Sequence, residues 1–180
     1  MNRAVILLPI VLGATGGIAA AQDSMTQHRQ SSEDGWVVSQ TTSPIDYSPI
    51  ATATTSSRNG AGESAMQLSI RCRSGRTELV LTGPGISRGG GDDAISYRIN
   101  DNPAVQVAAA TPTFGPGVAF TGDVVRLLQS LPDSGDLMVL VSKRGGNAHD
   151  GTFSLAGLDE ARAKIAAACK WPRAIATPGQ

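Results

Sequence analysis

The feature that most constrains this chain is a stretch of strict alternation between residues 66 and 81. Met66, Leu68, Ile70 and Cys72 alternate with Gln67, Ser69, Arg71 and Arg73. Apolar side chains at every second position place one face of an extended strand on a core and the other toward water. Ser74-Gly75 then supplies a tight turn, and RTELVL (76–81) returns. If Arg73 pairs with Arg76, the register sets Cys72 opposite Thr77, Ile70 opposite Leu79 and Leu68 opposite Leu81. On the other face Arg71 meets Glu78. Apolar partners and opposite charges agree in this one register, and only Arg73 with Arg76 conflicts, at the exposed hairpin end.

The remaining segments read as further short strands and two helices. Trp36-Val37-Val38 opens a strand, residues 51–57 (ATATTSS) favour a rather polar one, and Asn59-Gly60 supplies a turn. After a Gly- and Pro-rich loop at 83–93, Ile95, Tyr97 and Ile99 share one face of a strand. Asn100-Asp101-Asn102-Pro103 turns the chain into a return strand at Val105 to Val107, and 110–118 reads as loop. Thr121 is placed to cap a short helix near 121–131, with Asp123 in its first turn and Pro132 as its stop. Leu137, Val139 and Val141 mark a strand, GGNAHD (145–150) a loop and 152–155 a last short strand. A C-terminal helix near 158–170 has Asp159 and Glu160 at its start and Lys170 at its end, as the helix dipole favours. It gathers Leu158, Ala161, Ile165, Ala168 and Cys169 on one face.

This order predicts an α+β fold, mainly antiparallel β with a sandwich-like sheet of about six to eight strands, rather than a doubly wound βαβ sheet. A length of 180 residues suits one domain. We expect a signal peptide at 1–21, a disordered lead-in at 22–34, a β-rich domain at 35–172 and a flexible tail at 173–180. With two Trp, two Tyr and three Phe, the core must be built from Val, Leu, Ile and Ala. Trp36 and Trp171, which flank the ordered region, are expected to pack into that core.

Met1-Asn2-Arg3, an apolar run from Ala4 to Leu12 and the small residues Ala19-Ala20-Ala21 have the layout of a cleavable secretory signal, with cleavage before Gln22. The run is shorter than the ~20 apolar residues of a membrane span, although an uncleaved anchor is the alternative. No later stretch is apolar for long enough to insert in a membrane. Export leads to an oxidising compartment, where the two cysteines, Cys72 and Cys169, are expected to pair. Such a bridge would tie the last helix to the central hairpin, and closing so long a loop is worth roughly 4–5 kcal/mol. Two independent buried thiols are the alternative, and no His or Cys lies nearby at metal-ligand spacing.

Fifteen basic and fifteen acidic side chains balance, which argues against binding nucleic acid through its phosphates. Gly85-Ile86-Ser87-Arg88-Gly89 matches the pattern of a hydrolase nucleophile elbow, with Asp123 or Asp136 and His149 following in workable order. A hydrolase using Ser87 is the least favoured function, because RGGGDD (88–93) cannot open a stable helix. The same loop lacks the Gly-Lys-Ser/Thr of a phosphate cradle. His149 reads as a solvated loop histidine. Asp46, Arg71, Glu78, Arg98 and Asp101 lie in or beside strands and are candidate binding residues or structural ion pairs. No paired carboxylates flank an aromatic cleft as glycosidase chemistry would require.

A set of elements nevertheless recurs in one order: Gly35-Trp36-x-Val38 with Ser43-Pro44-Ile45-Asp46, Leu68-x-Ile70-Arg71-Cys72 with Arg76-Thr77-Glu78-Leu79, Tyr97-Arg98-Ile99-Asn100-Asp101, Phe153-x-Leu155-x-Gly157-Leu158, and Ala168-Cys169-x-Trp171. In this the chain resembles the VasI/TagO-like family of proteins associated with the bacterial type VI secretion system, over about residues 36–171. Tyr47, Asn100 and the tryptophan-free segment 104–118 depart from the family's usual pattern. The resemblance implies a periplasmic or secreted accessory protein of a Gram-negative envelope that works by binding or assembly, without enzymatic activity or cofactor. Its expected partners are envelope or secretion-apparatus proteins, not nucleic acid. The alternative is a stand-alone module that binds cell-wall glycan or inhibits an envelope enzyme.

Overall fold

The computed structural model describes residues 30–31, 35–59, 65–86, 93–142 and 147–172. The expected leader, most of the lead-in, the tail and Ser87 with the rest of its loop through 92 lie outside the described residues. The strands are β1 (Gln30–Ser31), β2 (Val37–Thr42), β3 (Pro49–Ser56), β4 (Gln67–Arg73), β5 (Arg76–Thr82), β6 (Ala94–Ile99), β7 (Val105–Ala110), β8 (Val118–Phe120), β9 (Asp136–Ser142) and β10 (His149–Ser154). Two helices complete the chain, α1 (Val124–Ser130) between β8 and β9 and α2 (Leu158–Cys169) at the end. The fold is α+β and mostly antiparallel β.

The β4–β5 hairpin has the register that alternation demanded, with Cys72 opposite Thr77, Ile70 opposite Leu79, Leu68 opposite Leu81 and Arg71 opposite Glu78. It lies near the middle of a sheet ordered β1-β2-β3-β4-β5-β8-β7-β6-β9-β10. That sheet is continuous and curls around its core. Past the end of β3, Arg58 donates its backbone N–H to Thr152 O of β10 at 2.8 Å. Asn59 then accepts from Thr152 N at 2.8 Å and donates to Asp150 O at 3.1 Å. The Trp36 indole N–H reaches Ser154 O at 3.1 Å. The last strand in the order is thus fastened to the first part of the chain, and its edge is covered.

Inside the curl lies one aliphatic core with Trp36, Phe120 and Phe153. Trp36 is 1% exposed, as a chain poor in aromatic area requires. Helix α2 packs on β3 and β4 through Leu158, Ala161, Ile165 and Cys169, all buried. Its seat is Ala51 and Ala53, whose single methyl groups let the helix come close to the sheet. The polar-looking ATATTSS segment is therefore an interior strand, with Ala51, Ala53 and Thr55 on the buried side and Thr52 and Thr54 opposite.

Several local expectations are corrected. Gln30–Ser31, inside the expected lead-in, pairs with Val37 and Val38. β8 is three buried residues with no alternation to betray it; Val118 falls in the segment read as loop, and Ala119 and Phe120 were given no element. Gly117 precedes it at φ +119°, where a Cβ would lie 2.4 Å from Leu81 O. Helix α1 is capped by Asp123, whose carboxylate accepts from Arg126 N at 2.9 Å. Thr121 instead donates its hydroxyl to Ala108 O at 2.8 Å, holding β7. His149 and Asp150 are strand residues opposite Val141 and Leu140, because β9 extends its ladder to them.

Candidate functional site

The end of α2 is held to the central hairpin at two points. Cys169 forms a disulfide with Cys72, with Cα atoms 5.7 Å apart. Two residues on, the Trp171 indole N–H donates to Thr77 Oγ1 at 2.7 Å. Cys72 and Thr77 are cross-strand partners, so the C-x-W spacing of 169–171 matches a single rung of the β4–β5 ladder. Trp171 is only partly buried, in contrast to the expected core position, since it packs at the rim beyond the helix end.

On the opposite face of the same hairpin, the 111–117 loop is strapped across the charged residues. Arg71 donates to Phe114 O at 2.7 Å and to Pro116 O at 3.4 Å, and Glu78 Oε1 accepts from Thr113 N at 2.9 Å. Arg73 stacks on the Phe114 ring at 4.5 Å, and Arg76 reaches Thr113 Oγ1 at 3.3 Å. Arg71 and Glu78 stand opposite each other as expected, but each spends its hydrogen bonds on the strap instead of on an ion pair. Burial lowers the Arg71 pKa from its ordinary value, and the Glu78 charge opposes that shift. Glu78 Oε2 is buried without a hydrogen-bond partner.

Next to this face the β2–β3 connection, Ser43 to Ser48, forms a closed loop. Ser43 N donates to Ser48 O at 2.8 Å and Tyr47 N to Ser43 O at 3.0 Å, with Tyr47 at φ +54°. Asp46 holds the loop from within. Its carboxylate accepts from Ser48 Oγ at 2.9 Å, Ser48 N at 3.2 Å and Ser74 Oγ at 3.4 Å, the last from the β4–β5 turn. Hydrogen bonding from the Ser43 and Ser48 side chains, helped by the Ser48 amide, lowers its pKa to about 2. On either side of Asp46, Ile45 and Tyr47 are 83% and 81% exposed. Neither was a candidate site residue in the sequence, where Ile45 stands only within the Ser43-to-Asp46 element and Tyr47 only as a departure from the family's pattern. The Asp46–Ser48 spacing signals a turn, but nothing in it says which way the flanking side chains face.

The other candidates are scattered. Arg98 is exposed on the outer face of β6, where it donates to Met138 Sδ at 2.8 Å, and Asp101 is exposed in the turn before β7. Ser96, Arg98, Met138, Leu140 and Asp150 line a groove of about 350 Å³ on that face. A second cleft of about 400 Å³ runs along α2 between Gln129, Asp159, Arg162 and Trp171. Arg162, missed in the sequence, joins the helices by donating to Leu128 O at 3.0 Å and Leu131 O at 2.9 Å, and it pairs with Asp133.

His149 is half-buried and packs on Gly85, where a Cβ would come within 2.4 Å of the ring. Neither acid proposed for it stands beside it. Asp136 is at the far end of the β9–β10 pair, about 17 Å along the strand, and is bound by Arg58. Asp123 caps α1. Among the described residues no His, Cys, Asp or Glu side chains group as metal ligands, and no helix is long and apolar enough to cross a membrane. Comparison with known protein families, curated proteins and solved structures finds no match.

Proposed function

We propose that this protein is an exported accessory module of a Gram-negative envelope that supports a type VI secretion apparatus by binding or assembly. The observation that carries the export part is the Cys72–Cys169 disulfide, a crosslink that persists outside the reducing cytoplasm. The N-terminal signal layout and the ordered motif set of residues 36–171 support the rest. A binding role suits a scaffold whose last helix is locked in place while loops and a sheet face stay open to solvent. The mature protein should fractionate with the periplasm and carry no alkylatable thiol before reduction. It should also retain an envelope subunit of the secretion machine in a pull-down with purified components. A free-thiol, cytoplasmic protein would overturn the reading.

A second reading has its own support. The cleft along α2 sets the Trp171 indole beside Asp159, Arg162 and Gln129. An aromatic wall with polar side chains is chemistry that suits a sugar ring. Retention on purified peptidoglycan that is lost in Trp171→Ala, without retention of secretion subunits, would favour a stand-alone glycan-binding module.

A further inference from the structure

The geometry points to the Ile45-Asp46-Tyr47 loop tip as the docking element of this protein, seated in an apolar, carboxylate-rimmed pocket of a folded protein partner. This deepens the binding-module reading and rests on it. Ile45 and Tyr47 are 83% and 81% exposed, although burying either would add apolar area to the core. They stand on both sides of an aspartate whose exposed carboxylate is hydrogen-bonded to Ser48 and Ser74. The tip thus presents apolar area while its one negative charge is already engaged.

Its surroundings are cationic. The Asp46–Ser74 contact seats the loop beside the β4–β5 turn, which Arg73 and Arg76 flank. Among the described residues neither arginine meets a carboxylate; Arg73 lies on Phe114 and Arg76 reaches a threonine hydroxyl. Tyrosine, phenylalanine and arginine around an aliphatic anchor form the composition of an interface hot spot. Carboxylates on the partner's rim would complete the arginines.

The backbone decides between a protein pocket and a lipid surface. A fluid bilayer needs no fixed loop shape. Here a non-glycine residue is held at φ +54°, and closed backbone bonds with three side-chain bonds to Asp46 fix the shape. Strain kept at an exposed tip, and ordering completed before association, are what shape-specific recognition uses.

The test is site-specific photocrosslinking of the full chain in its host, with benzoylphenylalanine placed at Tyr47 or, as a control surface, at Leu140 in the β6–β9 groove. The expected result is one discrete protein adduct from position 47. Its yield should fall about tenfold in Arg73→Glu/Arg76→Glu and recover when the partner's rim carboxylates are changed to lysine. Unchanged melting of each variant guards against misfolding. An adduct from position 47 to lipid or to a second copy of this chain overturns the proposal, as does one indifferent to the charge reversal. Adducts from 140 but not 47 overturn the proposal and leave the binding-module reading standing. Adducts from neither position remove both.

Discussion

Asp46 shows how one exposed side chain can organise a loop. Its carboxyl pKa lies at about 2 against an ordinary 3.8, because the ionised form accepts hydrogen bonds from serine side chains and an amide. A depressed carboxyl favours the folded loop above the ordinary value, and that contribution disappears as pH falls through 2. The Ser48 amide resonance should therefore hold its position from neutral pH to about 3 and then move with a midpoint near 2; Asp46→Asn should flatten that titration. Gly117 carries the opposite kind of constraint. With φ at +119° and Leu81 O only 2.4 Å from where a Cβ would be, Gly117→Ala must strain the backbone and push β8 off β5. Urea unfolding should show a loss of at least about 2 kcal/mol. The role of Gly117 is invisible in the sequence, where it is one glycine among 21.

Among the elements, the β4–β5 hairpin was readable to the residue. Its alternation admits one register, and each rung is settled locally by the side chains themselves. The 111–117 strap was not readable, because it has no periodicity and is held by groups of the hairpin's outer face. Arg71 and Glu78 were noticed as a cross-strand charge pair, yet their hydrogen bonds go to the loop. Arg71→Ala and Glu78→Ala should each cost about 1–2 kcal/mol by urea unfolding, since each leaves a strap group unpaired. Both changes release the same loop, so the double variant should lose less than the two single losses together. Helix α1 teaches a related lesson. Its existence and its stop at Pro132 followed from pattern, but Thr121 and Asp123 both fit a cap, and only the path of β7 assigned Thr121 elsewhere.

At the scale of the molecule, the disulfide joins residues separated by 97 positions and presses the last helix onto the interior strands. Closing a loop of that length should be worth about 4–5 kcal/mol. Reduction should accordingly lower the melting temperature by roughly 10–20 °C, and Cys169→Ser should reproduce that loss without reductant. An unchanged melting curve would mean that α2 stays seated through Leu158, Ala161 and Ile165 alone. The amino-acid order by itself determined the class of fold, the hairpin register and both helices, and it pointed to the cysteine pairing, because alternation and helical periodicity act locally and two cysteines allow only one bridge. Only the tertiary structure decided how the sheet curls so that Asn59 meets β10, which glycines face a neighbouring strand, and that Ile45 and Tyr47 stand in water. Those outcomes depend on which surfaces remain after distant segments have packed, and no window of sequence contains both partners of such a contact.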